Sequence, residues 1–180
     1  MNDNETADLI RRSLIAVTMP FVVTVIVPAL VMLTTPINPG WGLASPLNLL
    51  SIVIGLIVIG CGLSLVSMTI NLFTTIGKGT LAPWDPTQHL VVTGVYRYVR
   101  NPMISGVFCI VLGEAALFGS QPILVWALVV IAVNMIYMPL SEEPGLRQRF
   151  GAEYEEYARH VPRWVPRRTP WIPPNSPTAK

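Results

Sequence analysis

Four long apolar segments lie along this chain, at about 14–33, 47–74, 103–119 and 122–140, separated by more polar connections. No Asp, Glu, Lys or Arg occurs between Ser13 and Gly77. Because a helix needs roughly 20 apolar residues to cross a bilayer, this pattern predicts an all-α, polytopic membrane helical bundle with about four transmembrane helices. The turn from Gly119 to Pro122 is so short that the last two helices must be antiparallel neighbours.

Beyond residue 140 the pattern changes from continuously apolar to amphipathic. Ser141, followed by two acids and a proline, is typical of a helix start. Leu146, Phe150, Tyr154 and Tyr157 then recur at helical intervals with charged residues between them. We therefore predict a cytoplasmic amphipathic C-terminal helix that lies on the membrane face.

The distribution of basic residues predicts the orientation in the membrane. Every Lys and Arg lies in the N-terminal tail, the 75–101 loop or the C-terminal tail, whereas the 34–46 connection carries no charge. The positive-inside rule then places both termini and the long loop in the cytoplasm. The first apolar segment lacks a small-residue cleavage site and is predicted to be a retained helix. These features and the small size favour a bacterial inner membrane.

Composition excludes a soluble enzyme and a metalloprotein. Only 12% of residues are charged, whereas soluble domains have about 25%. Hydrophobic residues make up 52% of the chain. The 180 residues fit a single membrane domain, 1–180. Cys61 and Cys109 lie within apolar segments, and His89 and His160 lack metal-ligand spacing. We expect no metal and no nucleic-acid partner.

Two clusters of polar and aromatic residues flank the last pair of helices. The first has the form G-x-Y-x-x-x-R-N-P-x-x-x-G and consists of Gly94, Tyr96, Arg100, Asn101, Pro102 and Gly106. The second has the form E-E-x-x-L-x-x-x-F-G-x-x-Y-x-x-Y-x-x-x-V-P and runs from Glu142 and Glu143 to Val161 and Pro162. Together they resemble the integral-membrane methyltransferases related to isoprenylcysteine carboxyl methyltransferase and the phospholipid methyltransferases.

The resemblance implies that S-adenosylmethionine binds between the last two membrane helices and two cytoplasmic elements, 77–101 and 141–166. Its implied cofactor contacts are Gln88, His89, Leu90, Val91, Tyr96, Asn101, Pro102, Met103, Ile104 and Glu142, and we add Arg100 to these side chains on chemical grounds. The chemistry of three of these side chains agrees. Glu142 suits the ribose hydroxyls or the ammonium group, Arg100 suits the carboxylate, and an aromatic face such as Tyr96 attracts a sulfonium.

Methyl transfer is a direct displacement, so an enzyme mainly aligns the reacting atoms and excludes water. Arg100 and Glu143 are the candidate catalytic residues. An amine or hydroxyl acceptor would also need a base, for which His89, Glu143 and the intramembrane Glu114 are open candidates.

Three positions depart from the pattern of the prenylcysteine enzymes. Asn101 replaces a histidine, Ile104 replaces a tyrosine, and Met138 stands where those enzymes have a substrate-contacting arginine. These departures favour a lipid or small amphipathic acceptor that enters from the bilayer.

Two other functions remain open from sequence alone. Membrane sterol reductases have a related arginine–histidine–proline signature and bind NADPH, although they typically have more than four membrane helices. A non-catalytic lipid-binding membrane protein is the second alternative. In that case Glu142 and Glu143 mark only a helix start, and the arginines serve only as topology signals.

Overall fold

The computed structural model describes residues 18–77 and 89–173, and all regular structure in these ranges is helical. Helix α1 is Thr18–Thr34, with a π-turn at Val22–Ile26. Helix α2 is Leu47–Leu72 and ends in a π-turn at Phe73–Gly77. Helices α3 and α4 are Pro102–Phe118 and Gln121–Tyr137. After a π-turn at Met138–Glu142, helix α5 is Glu143–His160.

These helices occupy the four apolar segments that the sequence pattern marks. Two of them, Leu47–Leu72 and the continuous stretch Gln121–His160, are long and apolar enough to cross a membrane. Thr18–Thr34 and Pro102–Phe118 are apolar but shorter. An all-helical fold is therefore confirmed for the described residues.

The chain divides into two compact units. The first, which we call the bundle unit, contains described residues 18–67 and 104–136. Its helices α2 and α3 approach most closely at two glycine pairs. A Cβ on Gly62 would lie 2.6 Å from the backbone oxygen of Gly106, and one on Gly55 would lie 2.8 Å from that of Gly113. The small residues let the two backbones touch, as is common in membrane helix pairs.

The outer surface of the bundle unit is strongly apolar. Large side chains along α2 are half-exposed or more, such as Leu56 at 55% and Ile57 at 60%. Inside the unit, Trp126 Nε1 donates to the backbone oxygen of Val23 at 3.0 Å, which joins α4 to α1. Such a surface suits hydrocarbon as the surrounding solvent.

The second unit, which we call the motif unit, contains described residues 68–77, 89–103 and 137–173. It has two apolar clusters, one around Phe73, Val91 and Tyr96 and another around Tyr154, Tyr157 and Val161. The tyrosines of α5 are 2–3% exposed. The amphipathic pattern is thus correct, and the apolar face that it marks packs inside the motif unit.

The predicted helix start at Ser141 is wrong. Residue Ser141 lies within the π-turn, and neither the turn nor α5 has a side-chain cap at its N-terminal end. The helical backbone continues through the junction, so its amides need no capping oxygen. The real change of direction comes later, at Gly151, where φ is 52° and ψ is −130°.

Candidate functional site

The segment after α5 joins the two sequence motifs. It runs back along the first motif and is held there by backbone hydrogen bonds of 2.9–3.0 Å. In each of them one partner lies in 97–100 and the other in 162–171: Arg100 N to Pro162 O, Arg167 N to Tyr98 O, and Trp171 N to Arg97 O. Residues 60 or more positions apart in sequence are thereby fixed side by side.

The centre of the motif unit is a buried carboxylate surrounded by arginines. Glu143 is 3% exposed. Arg163 donates to both of its oxygens, through Nε to Oε1 and through Nη2 to Oε2 at 3.0 Å. Arg100 Nη1 lies 3.2 Å from Oε1, and Arg147 Nη2 lies 3.7 Å from Oε2. We call Glu143 and these three residues the arginine cluster.

The environment of Glu143 keeps it ionised. Burial raises the pKa of the Glu143 carboxyl, but the hydrogen bond from Arg163 and the three positive charges lower it more, so the net shift is downward. The same hydrogen bond raises the pKa of Arg163. A carboxylate that is paired with three arginines is a poor proton acceptor. The role of Glu143 here is to hold the arginines in place.

Two tyrosines of α5 extend the cluster towards the first motif. Arg100 Nη1 donates to the Tyr154 hydroxyl at 3.2 Å, and the Tyr157 hydroxyl donates to the backbone oxygen of Tyr96 at 2.8 Å. Burial raises the pKa of both hydroxyls. They therefore act as fixed hydrogen-bonding groups that set the position of residues 96–100.

Glu142 has a different environment from its neighbour. It is half-buried, and burial raises the pKa of its carboxyl while the charge of Arg149 lowers it in part. It is not among the carboxylates that the arginine cluster neutralises. Glu142 is thus the acid of the pair whose oxygens remain available to a cationic or hydroxyl-bearing ligand.

The other predicted contacts of the first motif lie in several settings. Gln88 lies outside the described residues, and His89 is exposed. Leu90 packs against the Tyr154 and Tyr157 cluster. Val91 is buried with Tyr96, whose ring meets Phe73 edge-on at 5.4 Å and is 6% exposed. Little of the Tyr96 ring is open to a ligand in this arrangement.

Helix α3 begins at Pro102, within the first motif. Asn101 Nδ2 donates to the Arg163 backbone oxygen at 3.4 Å, so this residue also contacts the second motif. Pro102 is fully buried and Met103 is 3% exposed, while Ile104 is half-buried. The first-turn amides of α3 have no acceptor within the helix, which makes them donors for an anion.

A pocket of about 280 Å³ opens over the arginine cluster. It is lined by Arg100, Glu143, Arg147, Glu155, Ala158, Arg159 and Arg163. The Arg100 side chain is 11% exposed, and its Nε is buried with no partner among the described residues. The arginines that line the pocket fit an anionic or hydrogen-bond-accepting ligand.

Sequence reasoning missed the contributions of Arg147 and Arg163. Arg163 directly follows the valine and proline that end the second motif, and that adjacency was the available signal. Arg147 follows Glu143 by four residues, the spacing at which opposite charges meet on a helix. Glu114, an open candidate, lies in α3 of the bundle unit, and its Oε2 is buried without a partner in the described part of the chain.

Comparisons with known proteins agree with the two motifs. Residues 50–153 match the family of phospholipid methyltransferases. A protein-S-isoprenylcysteine O-methyltransferase from Schizosaccharomyces pombe is 35% identical over 80 residues, which are 44% of this chain and 34% of that protein. The chain therefore spans about a third of the length of this relative. No solved structure matches the chain significantly.

Proposed function

Because this chain belongs to the phospholipid methyltransferase family, we propose that it is a membrane enzyme that transfers a methyl group from S-adenosylmethionine to a lipophilic or amphipathic acceptor. The observation that carries the proposal is the contact between Arg100 of the first motif and Glu143 of the second. Motifs that serve only as topology signals need not meet, whereas a shared ligand site requires that they do.

The residues around this contact fit the polar groups of the cofactor. Glu142 would hold the ammonium group or the ribose hydroxyls, since its carboxyl lies apart from the arginine cluster. The first-turn amides of α3, with the free Nε of Arg100, would face the carboxylate. When bound, S-adenosylmethionine supplies a methyl group that its sulfonium charge has already activated.

Arg100 and Glu143 act mainly as positioning residues in this proposal. Their buried pair, supported by Tyr154, fixes the loop that precedes α3, and Glu143 is too strongly neutralised to accept a proton. An acceptor that is already anionic needs no base. The named relative acts on an isoprenylcysteine, but Met138 in place of an arginine favours a different lipid or small amphipathic acceptor here.

We propose that the four apolar helices α1 to α4 all cross the bilayer and that both termini are cytoplasmic. The outward-facing apolar side chains of the bundle unit and the uncharged 34–46 connection support this topology. The acceptor would then reach the motif unit from the cytoplasmic leaflet.

The direct test measures labelled methyl transfer into membrane lipids together with S-adenosylmethionine binding to the detergent-purified protein. Glu142→Gln should weaken cofactor binding by about tenfold to a hundredfold, as expected for losing hydrogen bonds to a charged group. Glu153→Gln, the same change at an exposed position of α5, is the matched control. Folded protein that neither binds the cofactor nor transfers methyl would refute the proposal. Normal binding by Glu142→Gln would refute only the site assignment.

A further inference from the structure

The pocket contains more positive charge than the protein itself neutralises. Four arginines and two glutamates line it, which leaves an excess of two positive charges. Glu143 is already shared by three of the arginines. The fourth, Arg159, is exposed and donates its Nε only weakly, at 3.4 Å, to the Glu155 backbone oxygen.

The kink at Gly151 is what closes this pocket. Before it, α5 carries Glu143 and Arg147, and after it Glu155, Ala158 and Arg159. The change of direction brings the guanidinium groups of both halves around one cavity of about 280 Å³. Guanidinium groups match the geometry of phosphate oxygens, with which they form paired hydrogen bonds.

The position along the helix indicates the depth of this pocket. The uninterrupted apolar run of the continuous helix ends at Leu140, and at 1.5 Å per residue Arg147 lies about 10 Å further along the axis. The headgroup layer is roughly 5–8 Å thick on each side of the hydrocarbon. With α4 across the bilayer, Arg147 would lie just outside the headgroup layer, on the side from which its long side chain reaches the lipid phosphates.

We propose that the Arg147 and Arg159 pocket binds the phosphate of an anionic phospholipid headgroup from the cytoplasmic leaflet. Arg147 is 48% exposed in its side chain and its contact with Glu143 is long, at 3.7 Å, so it is free to turn towards such a phosphate. The bound lipid anchors the motif unit at the membrane surface. This inference goes beyond the proposed function and needs only the membrane placement of α4, not methyl transfer.

Native mass spectrometry of the full chain in micelles doped with phosphatidylglycerol or phosphatidylcholine tests the inference. We expect preferential binding of phosphatidylglycerol, weakened about fivefold by Arg159→Gln and about 25-fold by Arg147→Gln with Arg159→Gln. Arg149→Gln is the matched control: it removes the same charge from the same helix, but Arg149 does not line the pocket. Its effect should stay within about twofold.

Three results would overturn the inference. Equal weakening by Arg149→Gln would mean general attraction to anionic lipid and no built site. Release of the lipid by millimolar inorganic phosphate would make soluble phosphate the ligand, and release by S-adenosylmethionine would assign the pocket to the cofactor. Thermal unfolding of each variant checks its folding, and if the double variant does not fold, Arg159→Gln alone decides the outcome.

Discussion

The buried carboxylate of Glu143 offers the sharpest test of how the motif unit is held together. The change Glu143→Gln keeps the shape of the side chain and removes its charge. Arg100, whose side chain is 11% exposed, then loses its counter-ion in a buried site. Arg147 and Arg163, at 48% and 34%, are solvated enough to lose much less.

The magnitude follows mainly from Arg100. Leaving one charge of a buried pair uncompensated costs about 3–5 kcal/mol, whereas partly exposed pairs contribute about 0–1 kcal/mol each. For a chain of this size, such a loss corresponds to a decrease in melting temperature of roughly 6–20 °C. Thermal unfolding in detergent, followed by circular dichroism, measures it. Glu153→Gln on the same helix should leave the melting temperature nearly unchanged.

The second half of the test is the double variant. Replacing both Arg100 and Glu143 by Gln removes the charges together, so most of the lost stability should return, because a neutral pair carries no desolvation penalty. A Glu143→Gln protein that melts within about 2 °C of the parent would refute the reasoning. So would a double variant whose destabilisation equals the sum of the two single changes.

Three further predictions rest on matched positions. Gly62→Ala should destabilise the protein by about 1–3 kcal/mol relative to Gly60→Ala. The new Cβ at residue 62 would lie 2.6 Å from the backbone oxygen of Gly106, whereas a Cβ at residue 60 would have nothing within 4 Å. Equal unfolding temperatures of the two variants would contradict the close approach of the helices. Gly151→Ala should cost about 1–3 kcal/mol through its φ of 52°, while Gly145→Ala, also without close contacts, should cost nothing. Finally, because the pKa of Glu143 is lowered by folding, its carboxylate stabilises the protein at pH values above the unfolded pKa of 4.5, and this stability is lost as the pH falls through the folded pKa. In Glu143→Gln the loss of stability on acidification should therefore be smaller. An unchanged dependence of unfolding on pH would show that the Glu143 carboxyl is not its source.

Local patterns sufficed to predict the helices and the two motifs, because both depend on residues that lie close together in the sequence. Apolar runs predicted the described helices α1 to α4, and the resemblance of the two motifs to a known family, with the chemistry of their side chains, implied Tyr96, Arg100 and Glu142 as candidates. The partners of Arg100 could not be predicted in this way. Its contact with Glu143 depends on tertiary folding that joins residues more than 40 positions apart. The segment after α5 is held against the first motif by hydrogen bonds between backbone atoms, which the identity of the side chains does not reveal.

The π-turn at Met138–Glu142 explains why the acid that faces the arginines is Glu143 and not Glu142. Consecutive residues of an α-helix are about 100° apart around the axis, and a π-turn holds one residue more than an α-turn. Every residue after the turn is therefore set back by about one position. Glu143 occupies the face that Glu142 would hold in an uninterrupted helix, and Glu142 is left half-buried beside the arginine cluster. Sequence periodicity assumes a constant 3.6 residues per turn. It could therefore identify the acidic pair but could not predict which of the two acids contacts the arginines. The insertion separates one acid that organises the arginines from another that lies outside the arginine cluster.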